Sequence, residues 1–151
     1  MPPRDPQPHD WGLNMEPAWQ SLSRQADGQV LVLLSDGFGD EPVLALIITL
    51  RKAAIPVRLV GFSKKEIRSA QGVVLQPDLP LDDIKNANGS GLLIIPDAQH
   101  IHTRVTTDPR VHTLVEALLR QDKPVLATPQ VAFALRQLLR TTSQRLVSWQ
   151  E

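Results

Sequence analysis

The sequence lacks several things that would point to particular classes of protein. Its 151 residues contain no cysteine and no tyrosine, and Phe and Trp bring the aromatic content to only 4%. Without cysteine there is no disulfide framework, thiolate metal site, iron–sulfur cluster or cysteine nucleophile in these residues. Excess charge is also missing, because 16 Lys and Arg balance 16 Asp and Glu. Binders of nucleic acid or anionic membranes normally carry a basic excess, so neither kind of partner is predicted.

Long hydrophobic runs are missing as well. The apolar runs are short, as at 30–34, whereas a membrane-spanning helix needs about 18 or more apolar residues. The first residues, Met1 to Asp5, show no apolar signal core, so we expect a cytoplasmic protein. The 42% of hydrophobic residues suits one domain with a sizeable core.

What is present divides into three segments. Four prolines fall within the first eight residues and predict an extended tail, and 15–25 has the pattern of a short helix. We therefore predict a tail with a short helix over 1–28, an α/β domain over 29–140 and an extension over 141–151, in which 146–149 forms a short strand or packs across the sheet.

Within the α/β domain, buried strands alternate with amphipathic helices. This alternation predicts a mostly parallel sheet of about five strands, covered by helices on both faces. Asp40 and Asp108 are the predicted N-caps of the first two helices. The predicted strands are 30–34, 57–61, 72–76, 91–96 and 125–128, and the predicted helices are 41–54, 108–120 and 131–140.

Polar residues follow three of these strands, where open α/β sheets place their ligands. The candidate ligand pocket is formed by Asp36, Asp97, His100 and Thr128. Asp36 has a second interpretation, as a residue that only stabilises its own turn. Asp97, His100 and His102 match a metal-binding spacing only if the segment is extended, so no metal and no cofactor is predicted.

The order and spacing of these features over 30–138 resemble the ThiJ/PfpI family of the class I glutamine amidotransferase-like superfamily. The segments that carry the resemblance are Ser35-Asp36-Gly37-Phe38, Leu50-Arg51-Lys52-Ala53-Ala54, Gly72-Val73-Val74-Leu75, Leu81-Asp82-Asp83-Ile84, Asp108-Pro109-Arg110-Val111 and Lys123-Pro124-Val125-Leu126-Ala127. The resemblance implies a flavodoxin-like three-layer sandwich, frequently dimeric.

The family's catalytic positions are altered in this sequence. The position of the cysteine nucleophile is Pro129, followed by Gln130 where the family often has histidine. The position of the carboxylate that partners the cysteine is Pro42, although a slip of one residue would place Glu41 there. Asp97 lies in the turn that helps hold an oxyanion in the family, and a carboxylate there would oppose a developing negative charge.

Family members usually continue well beyond the helix predicted over 131–140, whereas this sequence ends at Glu151. Together with the altered positions, this predicts a degenerate relative without the family's catalysis.

The three tryptophans, Trp11, Trp19 and Trp149, all lie outside 30–138. They have two interpretations. Tryptophan is a frequent anchor at protein interfaces, so these residues are candidate partner contacts. Alternatively, the flanking segments fold back and cover the sheet.

Three functions follow from these observations. The first is a catalytically inactive domain that serves as a protein-interaction or assembly subunit, binding a protein partner or forming a homo-oligomer. The second is a sensor that binds a small molecule in the candidate ligand pocket. The third is a hydrolase-like enzyme without cysteine, for which a metal at Asp36, Asp97 and His102 is one hypothesis.

Overall fold

The computed structural model describes residues 18–85 and 87–149. The helices are α1 (Ala18–Gln25), α2 (Asp40–Lys52), α3 (Ile101–Thr107), α4 (Pro109–Arg120) and α5 (Pro129–Leu139), with a 3-10 turn at Leu81–Asp83. The strands are β1 (Gln29–Leu34), β2 (Val57–Gly61), β3 (Ile67–Arg68), β4 (Val74–Leu75), β5 (Leu79–Pro80), β6 (Ser90–Ile95), β7 (Val125–Ala127) and β8 (Leu146–Ser148). Of the predicted tail over 1–28, residues 1–17 lie outside the described residues, and the described part of the predicted helix over 15–25 is α1.

Six of these strands form one sheet in the order β5-β2-β1-β6-β7-β8, and every neighbouring pair is parallel. The predicted α/β class with a mostly parallel sheet is therefore confirmed, with six strands where about five were expected. Four of the five predicted strands are in this sheet, and its two edges are β5, which was not predicted, and β8, which was one of the two alternatives for 146–149. Leu79–Pro80 pairs with β2, and Leu146–Ser148 pairs with β7.

The alternation of side chains along β1 explains why the sheet is buried on both faces. Leu31 and Leu33 pack towards α3, α4 and α5, whereas Val30, Val32 and Leu34 pack towards α1 and α2. All five side chains are at most 1% exposed. A run of large aliphatic residues satisfies both helical layers at once, as a doubly covered parallel strand requires. The result is a three-layer, flavodoxin-like α/β sandwich.

The predicted third strand, 72–76, is the largest difference in the fold. Only Val74–Leu75 is a strand, and it pairs antiparallel with Ile67–Arg68 in a separate two-stranded ladder. Val73 and Val74 are 38% and 41% exposed. An apolar run therefore does not by itself identify a core strand, and the edge position beside β2 belongs to β5 instead.

Two further local predictions are corrected. The segment after β6 contains α3, where no helix was predicted. Asp40 is the first residue of α2 and not its N-cap, which is Gly39. The Asp40 carboxylate accepts hydrogen bonds from the Ser69 hydroxyl and from the Gln71 N–H, at 2.5 and 2.9 Å. These donors connect α2 to the turn before β4.

Asp108 is the N-cap of α4, as predicted, and its carboxylate accepts the Arg110 N–H at 2.9 Å. The Arg110 guanidinium also donates to both Asp108 oxygens, and it reaches the Phe62 carbonyl after β2 at 3.0 Å. These hydrogen bonds from Arg110 hold the pKa of Asp108 below its ordinary value of 3.8. Arg110, held in place by the Asp108 carboxylate, therefore links the start of α4 to the residue that follows β2.

We expect Asp108→Asn to lower the free energy of unfolding near neutral pH by about 1 kcal/mol, because asparagine still caps the helix but loses the charge-assisted hydrogen bonds. The folded-state pKa of Asp108 is depressed, so its stabilisation is present above pH 3.8 and is lost as pH falls through the lower folded value. Denaturant unfolding of both proteins as a function of pH measures the difference. Asp82→Asn is the control, because Asp82 is 72% exposed in its ion pair with Arg110. The assignment would be contradicted if the difference in the free energy of unfolding between Asp108→Asn and the unsubstituted chain stayed constant below pH 3.8.

Candidate functional site

The candidate site lies where β1 and β6 end side by side. The chain leaves β1 towards α2 on one face of the sheet and leaves β6 towards α3 on the other. Such a divergence of connections opens a crevice at the carboxyl ends of the strands. An open pocket of about 570 Å³ lies here, which we call the switch-point pocket. Its lining residues are Gly37, Gly39, Pro42, Val43, Ala70, Pro96, Asp97, Ala98, Gln99 and Trp149.

Gly37 gives the turn after β1 its shape. Its φ of +82° is a conformation that side chains with a Cβ rarely adopt. A Cβ at this position would lie 2.6 Å from the Gln99 Cβ, so the two walls of the pocket approach each other across a glycine. The Gly37 N–H donates to the Arg68 carbonyl at 2.8 Å, and Asp36 accepts the Arg68 N–H at 2.9 Å. Both hydrogen bonds join the turn to the backbone of Arg68 in β3, so they hold the turn against that strand.

Asp97 is the charged residue of the switch-point pocket. It is exposed after β6, and within the described ranges its carboxylate forms neither a hydrogen bond nor an ion pair. The nearby acids differ, because the carboxylates of Asp36 and Asp40 already accept backbone hydrogen bonds. Asp97 is thus free to bind a cation or a hydrogen-bond donor.

Trp149 forms an aromatic wall of the same pocket. The backbone N–H of Trp149 donates to the Ala127 carbonyl at the end of β7, and this hydrogen bond continues the β7–β8 pairing by one residue. The side chain is only 6% exposed and packs in the apolar layer that also contains Trp19, itself 7% exposed. Trp19 and Trp149 are therefore core residues, which agrees with the second of their two interpretations, in which the flanking segments fold back and cover the sheet. Trp11 lies outside the described residues.

The predicted ligand pocket is only partly assembled. Of its four residues, Asp97 lines the switch-point pocket, whereas Asp36, His100 and Thr128 do not. Asp36 faces two neighbouring pockets, His100 is exposed before α3 with a φ of 60°, and Thr128 is half-buried before α5. Trp149 was missed as a lining residue because it is distant in sequence and reaches the site only through the pairing of β8.

The backbone is ordinary at the position that the family resemblance implies for the nucleophile. Pro129 begins α5, and Thr128 before it has a φ of −59°. Proline fixes φ near −65° and has no N–H, so this turn neither presents a nucleophile nor donates from residue 129. Pro129 and Gln130 are exposed and do not line the switch-point pocket, while Pro42, at the position of the family's carboxylate, does.

The suggested metal site is not formed. His102 lies in the first turn of α3, so the extended backbone that would let it share a face with His100 is absent. Among residues 18–85 and 87–149, no group of three or more His, Asp or Glu side chains is close enough to hold a metal ion. The same part of the chain contains no helix that is long and apolar enough to cross a membrane.

A doubly wound parallel sheet with a crevice at its switch point defines a flavodoxin-like class of α/β protein. The sequence profile of the DJ-1/PfpI family matches residues 28–149. The chain therefore belongs to the DJ-1/PfpI family.

The similar proteins are distant. An uncharacterized protein of Archaeoglobus fulgidus is 26% identical over 121 residues, covering 80% of this chain and 71% of that protein. Drosophila melanogaster DJ-1beta superposes with a TM-score of 0.64 at 18% identity, over 72% of this chain and 60% of that one. A mutant of the DJ-1 superfamily protein STM1931 from Salmonella typhimurium superposes with a TM-score of 0.64 at 17% identity, over 75% of this chain and 61% of that one. At these identities the structures establish the fold alone, and this chain spans about 60% of their length.

We expect Gly37→Ala to destabilise the protein more than Gly72→Ala does. Both glycines have a positive φ, of +82° and +92°, but a Cβ at Gly72 would meet nothing within 4 Å. Gly72→Ala therefore measures the backbone strain alone, about 1–2 kcal/mol, and Gly37→Ala adds the clash with Gln99. Denaturant unfolding of both variants gives the comparison. Equal losses would mean that Gln99 yields freely and does not define the pocket wall.

Proposed function

We propose that this DJ-1/PfpI-family domain is not an enzyme and that it binds a small molecule in the switch-point pocket. The observation that carries the proposal is the pairing of an aromatic wall, Trp149, with a carboxylate that has no partner in the described residues, Asp97. Ligand pockets typically combine an apolar lining with a few polar groups of this kind.

Three features support the absence of catalysis. The sequence has no cysteine, and Pro129 stands at the nucleophile position that the family resemblance implies. Pro42 stands at the position that the resemblance implies for the partner carboxylate, and the alternative, Glu41, is exposed and does not line the switch-point pocket. Asp97 occupies the turn where an oxyanion would develop, and its negative charge opposes that charge. Each feature removes a different part of cysteine-dependent chemistry.

The lining defines the chemistry of the ligand. The apolar wall of Pro42, Val43 and Trp149 fits a flat or aliphatic body. The free carboxylate of Asp97 favours a cationic group or a strong hydrogen-bond donor beside it. The ligand class that fits is thus an apolar body with an ammonium or amidinium group, and carboxylates or phosphates are disfavoured.

We expect phenethylamine, an aromatic ammonium probe, to raise the Tm of the full chain in a saturable way, and hydrocinnamate, its carboxylate counterpart, to leave it unchanged. Asp97→Asn should weaken phenethylamine binding about tenfold or more, because it removes a charge-assisted hydrogen bond. Asp122→Asn is the matched control, since Asp122 is 90% exposed and lies beyond the pocket. Equal responses to both probes, or an Asp97→Asn variant that binds phenethylamine normally, would contradict the proposal.

A second candidate function, a protein-interaction or assembly subunit, is favoured by the surface of α5. Phe133 is 60% exposed and Leu138 is 50% exposed there. Large apolar side chains on a protein surface are frequent at contacts with other chains. This function places the contact on α5, because Trp19 and Trp149 are in the core.

For this function we expect the purified chain, or the protein isolated gently from its host, to have a native mass above that of a monomer. Phe133→Glu should return it to the monomer mass, since a charge in an apolar contact is strongly unfavourable. Ile48→Glu is the control on the opposite helical layer, because Ile48 is 51% exposed on α2. Light scattering coupled to size-exclusion chromatography measures both masses. A monomer at every concentration and in the host preparation would exclude the assembly function.

A further inference from the structure

A second pocket, of about 240 Å³, lies at the carboxyl ends of β1 and β2, next to the switch-point pocket but sharing none of its lining residues. We call it the Arg104 pocket. Its lining residues are Leu34, Ser35, Asp36, Phe62, Ser63, Lys65, Glu66, Ile67 and Arg104.

Arg104 is held in place before any ligand arrives. It projects from α3 across the end of β1, where Nη1 donates to the Ser35 hydroxyl at 3.0 Å. Its guanidinium carbon lies 4.2 Å from the centroid of the Phe62 ring, so the group also stacks on an aromatic face. Ser35 and Phe62 are 2% and 7% exposed, so both supports are fixed in the core. Little side-chain entropy remains to be lost when this guanidinium binds.

The charge of Arg104 is not neutralised inside the protein. Arg110, Arg120 and Arg145 each face a carboxylate. Arg104 forms no ion pair within the described ranges. A guanidinium has five N–H donors, and only one is used by Ser35. The remaining donors form the planar fork that binds a carboxylate or a phosphate.

The charges of the other lining residues indicate whether the ligand is a simple anion or a molecule that carries both a positive and a negative charge. Lys65 adds a second positive charge, but Asp36 and Glu66 contribute two negative ones. Asp36 uses Oδ1 to accept the Arg68 N–H, which leaves its other oxygen without a hydrogen bond inside the described chain. A phosphate or a simple carboxylate would be attracted by Arg104 and Lys65 but repelled by both acids, so half of the charge in the lining would oppose it.

We propose that the Arg104 pocket binds a small zwitterion of the amino-acid class. The ligand's carboxylate lies on the Arg104 fork, and its ammonium lies towards Asp36 and Glu66. Both signs of charge in the lining are then matched, and a 240 Å³ pocket is of a size for a ligand with few atoms. This site is distinct from the one in the proposed function, so either can fail without the other.

The test uses the isotope-labelled full chain and NMR signals of the Arg104 side chain and the Ser35 amide. The probes are two zwitterions, L-alanine and γ-aminobutyrate, and their singly charged counterparts, propionate, butyrate, ethylamine and propylamine. We expect at least one zwitterion to cause saturable shifts, and to bind about tenfold more tightly than either of its counterparts. No saturable shift with either zwitterion overturns the proposal.

Substitutions separate the two halves of the site. Arg104→Gln should abolish zwitterion binding, whereas Arg120→Gln, on the exposed face of α4, should not change it. Asp36→Asn keeps an oxygen for the Arg68 N–H, and it should weaken zwitterion binding about tenfold, whereas propionate, which loses a repelling charge, should bind at least as tightly as before. Should Arg104→Gln fail to fold, Asp36→Asn still decides. Equal binding of propionate and L-alanine, unaltered by Asp36→Asn, would identify a simple anion site and overturn the proposal.

Discussion

The parallel pairing of β1 between β2 and β6 is the constraint on which both sites depend. A strand in that position must be apolar on both faces, and Val30 to Leu34 meets this requirement with side chains at most 1% exposed. The chain then has to leave the sheet at Ser35 to Gly37, because α2 covers one face and α3 covers the other. The switch-point pocket lies on the β6 side of this exit and the Arg104 pocket on the β2 side. Polar groups therefore collect where the apolar strand ends.

The segments that flank the predicted domain complete its core. Trp19 packs over α2 and the sheet, and Trp149 packs beyond the end of β7 in the same apolar layer. A segment that follows α5 thereby supplies the sixth strand and the aromatic wall of the switch-point pocket. The tryptophans are best understood through the area they bury, since each indole removes a large apolar surface from water. Removal of α1 would expose the layer under Trp19, so any test of the N-terminal tail has to stop before Ala18.

The sequence predicted those parts that depend on local patterns. The doubly buried β1 and β6 and the Asp108 cap of α4 follow from neighbouring residues, and the structure has them. The missed parts depend on contacts between residues far apart in sequence. Asp40 bonds to Ser69 and Gln71 in place of its own helix, and Arg104 reaches Ser35 across 69 positions. Nothing in the local sequence of 96–107 distinguishes a polar loop from a short helix that presents Arg104. The fold was thus more predictable than the site.

Binding and chemistry are separable on this fold because they have different physical origins. The crevice at the switch point comes from the direction in which connections leave β1 and β6, and no side chain of the cysteine mechanism is needed to form it. A nucleophile, in contrast, needs a particular residue on a particular backbone conformation. At position 129, which the family resemblance implies for the nucleophile, proline supplies neither, since it begins α5 with φ restricted near −65° and carries no reactive group. With that assignment the concave, partly apolar surface is retained, and Asp97, which has no partner among the described residues, places a negative charge where it would oppose a negatively charged transition state. That charge favours cationic ligands, which is the physical basis of our proposal that the pocket binds a ligand.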